Sequence, residues 1–170
     1  MMFAGQFQSE IVNLKLFLMA TQTQTLTVRS VAFSQDGHIP KKYSCEGENI
    51  NPPLEISNIP KEAKTLALIV EDPDAPSGTF YHWLVWNIPP NEPIAEDYIP
   101  GIMGKNSFGK TGYGGPCPPK GSHRYFFKIY ALDTELGLQA DATKDALEQA
   151  MQGHIIAQGE LMGKYQKSGS

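Results

Sequence analysis

Residues 112–125 read G-Y-G-G-P-C-P-P-K-G-S-H-R-Y and lead into an apolar run that continues to Leu132. Glycine allows positive φ angles and the close approach of a ligand, whereas proline fixes φ and removes a hydrogen-bond donor. Four glycines and three prolines within these fourteen residues therefore predict a rigid loop. Consecutive N–H groups in such a loop can form a concave nest for an anion, although the same composition also suits a tight connection between two strands.

A second unusual stretch lies upstream, where residues 71–83 read E-D-P-D-A-P-S-G-T-F-Y-H-W. It follows one apolar run and opens the next, so its polar groups are expected at the rim of two strands. Two carboxylates flank a single proline, and His82 stands at the start of the second run. The pattern fits a ligand site, but Asp-Pro-Asp is also good turn chemistry, and both interpretations stay open.

Apolar runs elsewhere predict a mostly β fold. Residues 26–33 alternate between apolar and polar side chains, as in a half-buried strand. Residues 65–70 and 82–88 are continuously apolar, as in central strands. Residues 123–132 give the strongest strand prediction, and residues 155–165 are expected to be extended.

One helix is predicted, over residues 142–152, from apolar residues at helical spacing. Thr143 or Asp141 can cap its start and Gly153 can end it. A short strand is expected at residues 54–56, and a long ordered loop with one short strand at residues 91–110. Several strands, one late helix and no alternation of strands with helices predict an antiparallel β-sandwich with a C-terminal helix.

Composition indicates a single domain. The chain has 170 residues, of which 41% are hydrophobic and 19% charged, with a net charge of −4. Lys and Arg form no run that could follow a phosphate backbone, which argues against binding to nucleic acid or a polybasic attachment to membranes. We expect the domain to span residues 25–167.

The N-terminal stretch, residues 1–24, is expected to be a disordered extension or the product of a mis-assigned translation start. Its apolar part, residues 11–20, is interrupted by Asn13 and Lys15 and is shorter than the roughly 20 residues that span a bilayer. No signal peptide is evident, so we expect a cytoplasmic protein. Cys45 and Cys117 are accordingly expected as reduced thiols, and no metal site is expected from these two residues.

These motifs together resemble the phosphatidylethanolamine-binding protein family, in particular its bacterial and archaeal branch, the Raf kinase inhibitor-like proteins. The matching motifs are D-P-D-A-P at residues 72–76, H-W-L-V-W-N at residues 82–87 and the loop at residues 112–125. Residues 45–54 and 151–165 give supporting matches. The chain departs from many relatives at Ile56, where they carry tryptophan. The resemblance implies the same β-sandwich architecture.

The resemblance also implies one small pocket for an anionic head group, such as phosphate, phosphorylethanolamine or a carboxylate. The residues that it places around this pocket are Asp72, Asp74, Pro76, His82, Pro118, His123 and Tyr125. We add Gly114 and Gly115 as candidate donors of backbone N–H groups. Arg124 is left out, because it is expected on the opposite face of its strand from His123 and Tyr125.

The charges of this set raise a difficulty. Each carboxylate close to a bound anion repels it by about 4 kcal/mol at an effective dielectric constant near 20. We therefore hypothesise that His82 and His123 present N–H donors to the anion, and that Asp72 orients or charges one of them. Asp74 is then expected to cap a loop or contact an amine, and Tyr125 to offer its hydroxyl.

Three functions compete at this stage. The first is a non-enzymatic protein that binds a small anionic or phosphorylated ligand and, as the resemblance suggests, regulates a kinase or protease partner. The second is a hydrolase that uses the Asp/His cluster, with or without a metal. The third is a carrier of lipid head groups. For the first we expect no catalytic residue, metal or cofactor, no nucleic acid, at most peripheral membrane contact, and a monomer or homodimer.

Overall fold

A six-stranded sheet forms the centre of the domain in the computed structural model, which describes residues 23–170. The strands are β1 Gln24–Thr25, β2 Thr27–Arg29, β3 Glu55–Ser57, β4 Thr65–Asp72, β5 Phe80–Ile88, β6 Ile102–Met103, β7 Ser122–Leu132 and β8 Ile155–Gln166. The strand order in the six-stranded sheet is β1-β8-β7-β4-β5-β6, and β2 pairs with β3 in a separate two-stranded sheet. The helix α1 spans Lys144–Met151, and a single 3-10 turn spans Lys41–Tyr43.

The main sheet is mixed, because β1 runs parallel to β8 while the other pairs are antiparallel. The predicted antiparallel β-sandwich is therefore confirmed only as a mostly β fold with one helix. The direction of β1 could not be predicted, since a two-residue strand carries no periodic pattern. Gly159 permits the pairing, because a Cβ atom there would lie 2.2 Å from the carbonyl oxygen of Leu26.

Apolar layers cover both faces of the main sheet. On one face, Leu68 and Phe127 pack with side chains from β2 and the loops around it, and on the other, Ile69 and Trp86 pack against Leu147 of α1. A strand buried on both faces has no polar side to present, which explains the continuous apolar runs of β4 and β5.

Local hydrogen bonds explain where two predicted elements begin and end. Strand β2 stops at Arg29, well short of the predicted residue 33, because the Ser30 hydroxyl accepts a hydrogen bond from the Ala32 N–H and donates one to the Pro53 carbonyl. Helix α1 is capped by Thr143, whose hydroxyl accepts from the Ala146 N–H at 3.2 Å. Thr143 and not Asp141 is thus the cap.

A disulfide joins Cys45 to Cys117, with Cα atoms 5.5 Å apart. The prediction of reduced thiols is therefore wrong for this structure. The two cysteines are 72 residues apart in sequence, and only the folded arrangement of their loops brings them together. Apart from Thr23 and Gln24, the predictions for residues 1–24 concern residues outside the described range. Within residues 23–170, no helix has the length and apolar character needed to cross a membrane.

Candidate functional site

A cavity of about 390 Å³ lies where β4 ends and β5 and β7 begin. Because β4 is antiparallel to both neighbours, the last residue of β4 and the first residues of β5 and β7 meet at one edge of the sheet. Six of the nine predicted site residues line this cavity, namely Asp72, Pro76, His82, Pro118, His123 and Tyr125.

The side chains of His123 and Asp72 form a buried pair, with Nδ1 of the imidazole 2.7 Å from Oδ2 of the carboxylate. An ionised carboxylate only accepts hydrogen bonds, so Nδ1 carries the proton and the ring orientation is fixed. The other oxygen of Asp72 accepts a hydrogen bond from the Asp74 N–H at 2.8 Å. Nε2 of His123 is left as the ring nitrogen that can face a ligand.

His82 is held differently, since its Nδ1 atom lies 2.7 Å from the carbonyl oxygen of Gly114. A carbonyl also only accepts, so here too Nδ1 is the donor and Nε2 is left toward a ligand. Burial lowers the pKa of His82, while the Gly114 carbonyl and the Asp72 carboxylate act in the opposite direction. The neutral form of His82 is thus favoured, so the hypothesis that this ring is a charge-assisted donor is not supported.

Tyr125 is completely buried in the cavity wall, and its hydroxyl has no hydrogen-bond partner of normal geometry among residues 23–170. Burial, together with the nearby Asp72 carboxylate, raises the pKa of Tyr125, so the hydroxyl keeps its proton. An unpaired buried polar group costs about 1–3 kcal/mol. A ligand oxygen in the cavity could remove that cost.

Asp74 does not line the cavity. Its carboxylate forms a bidentate ion pair with Arg124, with Oδ1 at 2.8 Å from one terminal nitrogen and Oδ2 at 2.9 Å from Nε. The Arg124 guanidinium lowers the pKa of Asp74 to about 2. The side chain of Arg124 is half-exposed, so its place outside the cavity agrees with the prediction, and its role is to hold the loop after β4.

Gly114 and Gly115 also lie outside the cavity wall, and their N–H groups are already engaged. The Gly114 N–H donates to the His82 carbonyl at 2.9 Å, and the Gly115 N–H donates to Oδ1 of Asn49 at 2.7 Å. The structure therefore does not support the predicted anion nest. Instead, Gly114 provides the carbonyl that orients the His82 ring.

The loop that carries these glycines is tied to residues 43–49 by several bonds. Besides the disulfide, the Tyr113 hydroxyl donates to the Tyr43 carbonyl at 2.7 Å, and the Cys45 N–H donates to the Pro116 carbonyl at 3.1 Å. We call residues 112–119 the strap. Its far end, Cys117–Pro118–Pro119, forms one wall of the cavity.

Several lining residues were not predicted, and two of them are aromatic: Phe80 and Phe108. Phe80 follows the D-P-D-A-P motif closely enough that its position at the rim could have been inferred. Phe108 lies in the stretch of residues 91–110, which shows no regular pattern, so no signal pointed to it. Within residues 23–170, no three His, Cys, Asp or Glu side chains are grouped as ligands for a metal ion.

Comparison with known sequences places this chain in a protein family. A sequence model of the phosphatidylethanolamine-binding protein family matches residues 29–166, which include the whole cavity. The chain belongs to this family. The chain therefore has the phosphatidylethanolamine-binding protein fold. The motifs that carried the resemblance lie at the end of β4 and the starts of β5 and β7, where they line the cavity.

Individual members of the phosphatidylethanolamine-binding protein family are similar over most of their length. A UPF0098 protein of Pyrococcus abyssi is 52% identical over 149 residues, which cover 81% of this chain and 84% of the relative. The crystal structure of a phosphatidylethanolamine-binding protein homologue from Chlamydia trachomatis has 48% identity and a TM-score of 0.82, and covers 86% of this chain and 100% of that one. Escherichia coli YbcL, a member of the mammalian family, has 30% identity and a TM-score of 0.78, with coverage of 84% and 99%.

Proposed function

We propose that this protein binds a small oxyanion, a phosphoryl group or a carboxylate, in the cavity between His82 and His123 and does not convert it chemically. One observation carries the proposal: three buried polar side chains line one cavity, and the Nδ1 atom of each histidine is held by another group of the protein, so that Nε2 is left for a ligand. Asp72 holds His123, and the Gly114 carbonyl holds His82. Tyr125 adds a hydroxyl that lacks a protein partner.

The carboxylates no longer argue against an anion. Asp74 is paired with Arg124 outside the cavity, and both oxygens of Asp72 already accept hydrogen bonds. A bound oxyanion then faces the Nε2 edges of two imidazoles and a phenol. Because His82 favours its neutral form, either the ring must take up a proton or the ligand must bring one, as a monohydrogen phosphate does.

The protein partner predicted from the sequence remains part of the proposal. If the oxyanion is carried by a phosphorylated side chain of a kinase or another protein, the same cavity would hold it. Nothing in the cavity favours a lipid carrier, since about 390 Å³ suits one small organic ligand and leaves acyl chains outside. The Cys45–Cys117 disulfide speaks against the cytoplasmic location, because disulfides persist mainly in oxidising compartments.

The test is a titration of inorganic phosphate into the isotope-labelled full chain, followed by amide and histidine shifts. We expect saturable shifts at residues 72–82 and 112–125 that disappear in His123→Ala. His154→Ala is the matched control, because His154 forms a similar pair with Asp133 far from the cavity. Absence of shifts at millimolar phosphate, or equal loss in both variants, would contradict the proposal.

A hydrolase is the second candidate, favoured by one observation. Asp72 and His123 have the geometry of a carboxylate that orients a general base, and Ser77 lines the same cavity. No hydrogen bond between Ser77 and His123 is present in the described structure. Release of nitrophenol from a nitrophenyl ester or phosphate, abolished in both Ser77→Ala and His123→Ala, would replace the binding function by this one.

A further inference from the structure

The disulfide between Cys45 and Cys117 can be reached from solvent. Cys45 is exposed and Cys117 is half-buried, so a thiol in solution meets the sulfur of Cys45 first. Thiol–disulfide exchange begins when a thiolate attacks one of the two sulfurs, and access to that sulfur helps to set the rate. A disulfide enclosed in a core would be closed to this chemistry, whereas the Cys45 side of this one is open to it.

The strap and residues 43–49, which the disulfide joins, also hold each other without it. Three hydrogen bonds connect them, and none involves a sulfur atom. The pairs are the Tyr113 hydroxyl with the Tyr43 carbonyl at 2.7 Å, the Gly115 N–H with Oδ1 of Asn49 at 2.7 Å, and the Cys45 N–H with the Pro116 carbonyl at 3.1 Å. The backbones also touch, since a Cβ atom on Gly115 would lie 2.3 Å from the Tyr43 carbonyl oxygen. These contacts remain available when the bond between the sulfurs is opened.

Residues 43–49 are anchored to the rest of the domain as well. The Ser44 hydroxyl lies 2.8 Å from the Tyr165 hydroxyl of β8, which donates a hydrogen bond to the Glu46 carboxylate. On the other side, the Tyr43 hydroxyl donates to Glu96 at 2.5 Å. Opening the disulfide therefore leaves these residues in place, and the part of the chain that gains freedom is the strap.

Two thiols that the fold keeps adjacent differ from two thiols on free loops. Cys45 and Cys117 are 72 residues apart in sequence, so bringing them together in an unfolded chain costs loop-closure entropy. In the folded protein that entropy has already been lost, because the hydrogen bonds hold the two loops in contact. The reduced pair is thus prepared to close again without refolding of the chain.

We propose that Cys45 and Cys117 form a reversible redox site, which a protein or small-molecule dithiol opens in the folded protein and a small-molecule disulfide closes again. The strap is fixed in the oxidised form and loosened in the reduced form. This inference does not rest on the proposed binding of an oxyanion. The reduced thiols expected from the sequence are then the second state of the same site.

The exchange balances without a further reactant. A thiolate of the dithiol attacks Sγ of Cys45, the bond between the two cysteines breaks, and Cys117 leaves as a thiolate and takes up a proton. The second thiol of the reductant then attacks the mixed disulfide and releases Cys45. Two electrons pass from the dithiol to the protein disulfide, and the dithiol leaves as its own disulfide.

The first test is reduction of the full chain by dithiothreitol without denaturant, followed by alkylation, mass analysis and hydrogen exchange. We expect two alkylated cysteines per chain, exchange about tenfold faster in the strap, and unchanged protection in β4 and β7. Oxidised glutathione should then restore the original mass and protection. Resistance of the disulfide to reduction until the chain is unfolded, or loss of protection throughout the main sheet, would overturn the proposal.

The second test concerns the order of attack. Cys117→Ser leaves the Cys45 thiol alone, and Cys45→Ser leaves the Cys117 thiol alone. We expect the Cys45 thiol to form a mixed disulfide with glutathione about tenfold faster than the Cys117 thiol, because it is the more exposed of the two. Equal rates, or a faster reaction at Cys117, would overturn the assignment of Cys45 as the sulfur that is attacked.

The third test removes the hydrogen bonds that hold the loops together. Asn49→Gly combined with Tyr113→Phe deletes two of them, and glycine suits the positive φ of 58° at Asn49. The reduced double variant should close with oxidised glutathione at least about fivefold more slowly than the reduced wild type. Asn58→Gly is the matched control, since Asn58 has a φ of 60° and its side chain bonds to Thr27, outside both loops. Equally fast closure in the double variant and the control would overturn the role of the fold in closing the site.

Discussion

His123 and Asp72 make the same type of contact as His154 and Asp133, but in a different environment. The Nδ1–carboxylate distances are 2.7 and 2.8 Å, whereas the first pair is buried and the second is more than 40% exposed. Because the first pair is buried, neither of its side chains can rotate into water, and Asp72 holds the His123 ring in one orientation. The second pair supplies a natural control for every experiment on the first.

Replacing Asp72 by Asn should weaken phosphate binding by about tenfold, because the amide keeps the shape of the side chain but removes the charge that supports the His123 ring. Asp133→Asn should leave the affinity unchanged. Titration of phosphate into both variants measures the effect. Equal affinities for the two variants would show that Asp72 does not act through His123.

Replacing Tyr125 by Phe should have opposite effects on stability and binding. The hydroxyl is buried without a partner, so its removal should leave the free energy of unfolding unchanged or raise it by up to about 1 kcal/mol. Phosphate affinity should fall at the same time. Tyr113→Phe is the contrasting variant: its hydroxyl donates to the Tyr43 carbonyl, so its loss should destabilise the protein by about 1 kcal/mol. Urea unfolding of Tyr125→Phe and Tyr113→Phe measures both effects. A loss of stability in Tyr125→Phe would show that the Tyr125 hydroxyl does have a hydrogen-bond partner in the free protein.

The lowered pKa of His82 predicts a loss of stability on the acid side of neutrality. Below the ordinary pKa of about 6.5, the unfolded chain takes up a proton at this residue before the native protein does, so the free energy of unfolding falls as the pH falls from about 6.5. Burial is the main cause of the lowered pKa of His82 and His123 adds to it, whereas the backbone of Gly114 and Gly115 and the Asp72 carboxylate act in the opposite direction. Urea unfolding between pH 7.5 and 5 should show the decline in the wild type and a smaller decline in His82→Gln.

Phosphate affinity should have the opposite dependence on pH. A proton on the His82 ring adds a hydrogen-bond donor and a positive charge to the site, and it is gained at low pH, so the affinity should fall as the pH rises from 6 to 8. Titrations at three pH values measure it, with phosphate replaced by sulfate as a control that carries no proton in this range. A flat profile for phosphate would contradict the assignment of the proton to the site.

Removal of the disulfide should affect both the stability and the cavity. The loop that the disulfide closes spans 72 residues, and by the loop-entropy estimate a closed loop of this length stabilises the fold by roughly 4.4 kcal/mol. Cys45→Ser with Cys117→Ser should therefore unfold at lower urea concentration and bind phosphate more weakly, because the strap carries Gly114 and Pro118. A dithiol reductant should reproduce both changes in the wild type and have no effect on the double variant. Unchanged unfolding after reduction would contradict this role.

The strands and the position of the cavity could be predicted because their signals are local. The apolar runs correspond to β4, β5, β7 and β8 within two residues at each end, and antiparallel pairing alone brings Asp72, His82 and His123 to one edge. The positions of the motifs in the sequence were therefore enough to predict that these three residues lie close together in the structure.

The remaining features depend on contacts between distant parts of the chain. The disulfide requires two loops to meet, and the parallel pairing of β1 rests on two residues without a pattern. The glycines of the strap were expected to bind an anion, but their N–H groups found partners in His82 and Asn49. Phe108 is placed by the side chain of Asn106, which no periodicity reveals.

The strands at the two margins of the main sheet, β1 and β6, have only two residues each, although the four strands between them have 8 to 12. A long flat edge strand offers a row of free backbone groups to any other chain and is a starting point for aggregation. Here each margin presents only a short remnant of such a row. Within residues 23–170, the main sheet therefore offers little room for edge-to-edge pairing with a strand of another chain.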